Sequence, residues 1–99
     1  ADRRFKEAVN ILVQVTKSDA KFFWGWHELA LAYQGLKDTT LARKSFQQAA
    51  VLLERQSIQD PSFYRDYGFF LYGQRQHSDA VAQWKRVIEI ERGSPKQGR

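Results

Sequence analysis

Cysteine and methionine are absent from this 99-residue chain, proline occurs only twice, and no apolar run is long. Without cysteine there is no disulfide staple, no thiolate metal site and no cysteine nucleophile, and the redox compartment is left undetermined. The uncharged apolar stretches, such as Phe69 to Leu71, fall far below the roughly 18–20 residues that a membrane-spanning helix needs. No signal-peptide pattern opens the chain. A soluble protein without membrane insertion is therefore expected, cytoplasmic by default, its compartment otherwise unread. The missing initiator methionine points to a processed chain or an excised segment. The length allows one domain at most and excludes a multidomain enzyme. Acidic residues are also the minority: eleven Asp plus Glu face sixteen Lys plus Arg, a formal charge of +5. With a pI near 9.7, a nucleic-acid or anionic-membrane role turns on whether the basic groups cluster.

What the chain does contain is repetition. Ala42, Phe46 and Ala49 stand at intervals of four and three, and the same intervals recur at Ala80, Trp84, Val87 and at Ala8, Leu12, Val15. Upstream of the second set stand Trp26, Leu29, Ala30, Tyr33, and upstream of the third Tyr64, Tyr67, Gly68, Leu71, with identical spacing. The first set lacks this upstream half. Spacings of three and four are the helical period, so each half-unit reads as an amphipathic helix that must bury its stripe on a neighbour. Small residues at 30, 68, 42 and 80 mark close helix approach, and Phe46 and Trp84 fill the space between.

Local chemistry sets the expected boundaries. Asp60 before Pro61 is an N-cap followed by proline at the first helical position, where its missing N–H costs nothing. Asp38 with Thr39, and Ser78 with Asp79, offer acceptors to the amides that open two further helices. Gly35 and Gly73 close the helices before them, and the opening helix is expected to run to about Thr16, for a total of five.

The pattern Trp-x-x-Leu-Ala-x-x-Tyr, eight residues, then Ala-x-x-x-Phe-x-x-Ala resembles the tetratricopeptide repeat, a helix-turn-helix unit of about 34 residues. The resemblance divides the chain into the second helix of a truncated preceding repeat (1–22), a complete repeat (23–56), a second complete repeat (61–94) and a disordered basic tail (95–99). From Ala8 to Ala42 the offset is 34 residues, and from Ala42 to Ala80 it is 38. The four extra residues are about one helical turn, which predicts a longer helix through Val51 to Arg55 and a connection over 57–60. The family's usual helix-closing proline is missing near Glu54. The implied fold is all-α: helical hairpins stacked as a repeat solenoid, a right-handed superhelix whose first helices line a concave groove.

By the same resemblance, positions two, five, nine and twelve of each repeat point into the groove. In the first repeat these are Trp24, His27, Leu31 and Gln34, and in the second Ser62, Arg65, Phe69 and Tyr72. The implied partner is a peptide segment or helix, anchored on Trp24, Leu31, Phe69 and Tyr72 and held in register by Arg65 and His27. Trp24 precedes Trp26 by two residues, so the two point about 200° apart on a helix. Trp24 is thus either a binding anchor or a residue packed on the opening helix against Val13 or Lys17. Of Phe69 and Phe70, one is expected in the core. Some members of the family clamp a partner's C-terminal carboxylate with Lys, Asn and Arg, but Glu28 and Asp66 stand where two of those residues would be, which argues against that mode.

Other chemistry finds no support in the pattern. His27 and His77 lie on different repeats without metal-ligand spacing, so no metal or other cofactor is expected. His77-Ser78-Asp79 holds the residue types of a hydrolase triad, yet sequence neighbours cannot form that relay, and the run reads as a turn with caps. Gly68 to Gly73 lacks the lysine of a phosphate loop, and Glu89 and Glu91 point to different sides of one helix. A non-catalytic protein-interaction module is the leading expectation. The alternative is an RNA-binding helical-repeat module using basic ends and an aromatic groove. Charge location disfavours it: residues 23–91 carry eight basic and eight acidic groups, so the excess falls on 1–22 and 92–99. Finally, Val9, Ile11, Leu12, Val13 and Val15 exceed what one neighbour covers. Either further repeats precede the opening helix, or two chains pair through exposed end helices as a homo-oligomer.

Overall fold

The computed structural model describes residues 2–93, which form five α-helices with no strand among the described residues. They are α1 (Asp2–Ser18), α2 (Phe23–Gly35), α3 (Thr39–Arg55), α4 (Pro61–Gly73) and α5 (His77–Glu91). The all-α, five-helix expectation is met. The basic tail expected at 95–99, and residue 94 at the edge of the second repeat, lie outside the described residues.

Two of the three expected caps form. The Asp38 carboxylate accepts from the Leu41 amide at 3.2 Å and opens α3. The Asp60 carboxylate accepts from the Ser62 amide at 3.0 Å, with Pro61 at the start of α4. Each satisfies one of the amides that a helix start leaves without a partner. The third differs. α5 begins at His77, after a Gln76 cap that makes no side-chain hydrogen bond to the helix backbone, so Ser78 and Asp79 fall inside the first turn. There Asp79 accepts from the Gln76 side-chain amide at 3.4 Å, and its charge faces the positive end of the helix dipole.

The glycines end α2 and α4 as expected, but they do not make the reversals. Lys37 and Arg75 do, at φ 64° and 65°, with Ser57 doing the same after α3 at φ 53°. Each sits in a paired-bond closure: Lys37 N–H donates to Gln34 and Asp38 N–H to Tyr33, and Arg75 and Gln76 donate likewise to Tyr72 and Leu71. This six-to-one and five-to-two pattern satisfies the last carbonyls of a helix. It ordinarily favours glycine at the left-handed position, and here a lysine and an arginine hold it.

The contacts divide the described residues into two compact units, α1 to α3 and α4 with α5, parted after Ile58. In the first unit α2 packs against both α1 and α3. Phe5 near the start of α1 lies against Gly35 at the end of α2, where an added methyl would come within 2.5 Å of its ring. Val15 and Thr16 lie against Gly25 at the other end, so α1 and α2 run antiparallel along a line of glycines. Phe46, Ala42 and Ala49 of α3 and Ala30 of α2 are fully buried. The Gln56 side-chain amide donates to the Lys21 carbonyl at 2.7 Å, tying the end of α3 to the α1–α2 connection across 35 residues.

In the second unit Tyr64, Gly68 and Leu71 of α4 are buried with Ala80 and Val87 of α5. Gly68 marks the close approach: a methyl there would overlap the Trp84 indole. Arg86 lies 5.0 Å from the centre of the Tyr64 ring, a favourable placement of a cation over an aromatic face. Gly73, by contrast, faces open space.

Candidate functional site

On α2 the exposed stripe and the buried one interleave. Phe23 is fully buried, and His27, one turn on and so on the same side, is only 3% exposed. Its ring centre lies 5.9 Å from that of Phe23. His27 was expected to present its imidazole to a partner. The side shared with Phe23 puts that ring inside instead. Trp24 is 47% exposed, its indole edge-on to Phe23 at 5.1 Å and tilted against Phe22 at 6.2 Å. Gln34 is exposed and Leu31 is half-buried. Trp26 is half-buried, with its indole N–H donated to the Ala20 carbonyl at 2.9 Å. The two tryptophans thus diverge as their spacing requires.

On α4, Arg65, Phe69 and Tyr72 follow one another at four and three residues and share one side of the helix. All three are exposed, Phe69 at 59%, whereas Phe70 is buried. The structure brings these three together with residues of α5 that were expected to be core or were not singled out. Trp84 fills the space over Gly68 as expected, yet it is only half-buried. Its indole ring lies edge-on to Phe69 at 5.3 Å and within 5.8 Å of Tyr72. Arg65, Phe69, Trp84, Val87 and Ile88 line an open cleft of about 440 Å³. At one end the Arg65 guanidinium pairs with Glu91 at 3.2 Å, and at the other the Tyr72 ring lies tilted against His77 with centres 4.5 Å apart. Val81 and Ile88, seven apart on α5, are exposed beside Trp84. Sequence reading missed them because the repeat consensus names only the buried stripe. Their signal is an apolar residue one position beyond two of the three core positions, at 81 after Ala80 and at 88 after Val87.

The Arg65–Glu91 pair is about half-exposed on both sides, so it is weak, and either group can exchange partners at little cost. Glu89 pairs with Arg86 at 3.5 Å, which leaves Glu89 and Glu91 engaged with different cations. His77, Ser78 and Asp79 occupy the first turn of α5, and Gly68 to Gly73 lie within α4. Among the described residues, no group of His, Cys, Asp and Glu is placed to hold a metal ion, and no helix is long and apolar enough to cross a membrane. On α1, Ile11 is exposed at 61%, with Val15 and Phe22 beside it in a second shallow cleft. That is the surplus of apolar residues seen in the sequence.

No curated protein matches the chain significantly. Residues 24–93, both full helical hairpins, match the family model described as YpiA-like, C-terminal tetratricopeptide repeats. The recurring Ala-x-x-x-aromatic stripes, the glycine and alanine approaches and the two helical hairpins are thus those of a tetratricopeptide-repeat protein, and the chain belongs to this family.

Proposed function

We propose that the chain is a non-catalytic scaffold module that binds a peptide segment or helix of a partner protein through exposed side chains of its first helices. Tetratricopeptide repeats generally mediate protein–protein interaction and are typically non-catalytic. The observation that carries the finer reading is the exposure of Phe69, Tyr72 and Trp24 on helices whose other sides are buried. A large aromatic left in water forgoes about 1.5–3 kcal/mol of burial, and within the second unit Phe69 and Tyr72, both against Trp84 and with Arg65 on the same side of α4, have the make-up of interface anchors. Arg65 supplies direction to an acidic group of the partner, while Leu31 and Gln34 widen the contact on α2.

Random peptides displayed on phage and selected on the immobilised chain test this reading. Binding of the selected peptides should fall at least tenfold on the variant W24A/R65A/Y72A, all of whose changes lie at exposed positions. Undiminished binding to that variant would contradict the proposed surface.

A further inference from the structure

We infer that Trp24 and Glu28 of α2 form a seat for one arginine side chain of a partner polypeptide, the guanidinium lying on the indole face and pairing with the carboxylate. This assignment rests on the partner-binding reading and deepens it, giving the chemistry of the group that α2 receives.

Glu28 is the one acidic residue of α2, and the helix holds no lysine or arginine. The common helical ion pair, with a base three or four residues away, is therefore closed to it. Glu28 is exposed, and among the described residues no hydrogen bond or ion pair engages it. The other acidic residues of the two hairpins are all engaged. Asp38 and Asp60 cap helices, and Asp79 holds the Gln76 side-chain amide. Glu89 and Glu91 pair with arginines, and Glu54 and Asp66 interact within the chain. In a chain with sixteen basic residues against eleven acidic, this one carboxylate is left for a cation from outside.

Trp24 supplies the other half of the seat. It precedes Glu28 by four residues, so the two are neighbours on one side of the helix, with Cβ atoms about 6 Å apart. Its half-exposed indole rests on fully buried Phe23 at 5.1 Å and on Phe22 at 6.2 Å. A ring held in place before the partner arrives lowers the ordering cost of binding. An indole face is also the aromatic surface that attracts a cation most strongly. Leu31, three residues beyond Glu28 on the same side and half-buried, offers a floor for the methylene stem of a long basic side chain. Arginine fits better than lysine. Its planar guanidinium stacks on the ring while its N–H edge still meets the carboxylate, two contacts that a compact ammonium does not make together. Either contact alone is weak at an exposed position, and their union within one turn gives the preference.

The phage-selected peptides serve as the probe, synthesised with a fluorescein label and titrated into the full chain by fluorescence polarisation. Arginine is expected to recur at one place in them. Replacing that arginine by lysine should weaken binding about threefold, and by glutamine about tenfold. On the side of the chain, E28Q should weaken it about threefold. Charge exchange separates a seat from a merely solvated carboxylate: E28R should reject the arginine peptides, and the same peptides with glutamate for that arginine should bind E28R more tightly than wild type. Peptides without a recurring arginine, or arginine peptides that bind E28Q and E28R as they bind wild type, would overturn the seat. Because Glu28 lies outside the W24A/R65A/Y72A set, peptides that lose the triple variant yet ignore E28R would overturn the seat alone. Peptides that ignore both, or a selection that yields no binding peptide, would overturn the partner-binding reading as well.

Discussion

Two glycines on one helix carry opposite meanings. Gly68 has the Trp84 indole where its methyl would be, whereas Gly73 meets nothing. Gly68→Ala should therefore destabilise the chain by about 1–3 kcal/mol through overpacking. Gly73→Ala should be neutral or stabilising by up to about 1 kcal/mol, since alanine is the better helix former. Urea unfolding of the two variants checks the pair, and equal effects would remove Gly68 as the close-approach point. This contrast was half legible in the sequence. The repeat marked Gly68 as a small core position because Ala30 occupies the matching place, and Gly73 was rightly put at a helix end. Trp84 was only partly legible: spacing showed that it covers Gly68, but an indole is larger than the gap above one glycine, and its outer edge remains in the cleft. His27 was misread for a related reason. Its repeat position implied exposure, and only its side shared with fully buried Phe23 put it inside.

At the scale of the element, the helix starts were read well and the helix ends less so. Asp38 and Asp60 declare themselves because a carboxylate before a helical pattern has one obvious task. The left-handed residues do not, because Lys37 and Arg75 belong to no turn-forming class, and Ser57, common in turns, has no preference for positive φ. A non-glycine residue in that conformation costs about 1–2 kcal/mol, which glycine avoids at some entropic expense. Lys37→Gly should therefore raise stability by about 0.5–1 kcal/mol, and Arg75→Gly by a similar amount. A rise in the urea midpoint at unchanged m-value is the expected signature. A fall would mean that these side chains contribute more to the turn than their backbone strain removes. The longer α3 was legible from the four-residue excess between repeats alone, and its end at Arg55 puts the added turn where that count placed it.

For the whole molecule, repetition was the most readable property, because a spacing recurring three times is hard to produce by chance and fixes which face of each helix is buried. What repetition hides is everything off the consensus stripe, including Val81 and Ile88, whose exposure sets the character of the second unit's surface. Charge is informative chiefly by its balance over the middle of the chain. Residues 23–91 are balanced, so the +5 belongs to the flanking segments, and the exposed aromatic surfaces of α2 and α4 lie within the neutral part. The central claim is that these aromatics are the contact surface for a partner protein. The measurement that tests it most directly is a map of NMR shift changes on the chain when a phage-selected peptide is added. The account predicts the largest changes at Trp24, Phe69, Tyr72 and the Trp84 indole N–H. Silence at those four positions while the peptide is bound, with changes gathered instead around Ile11 and Phe22 on the α1 side, would contradict it.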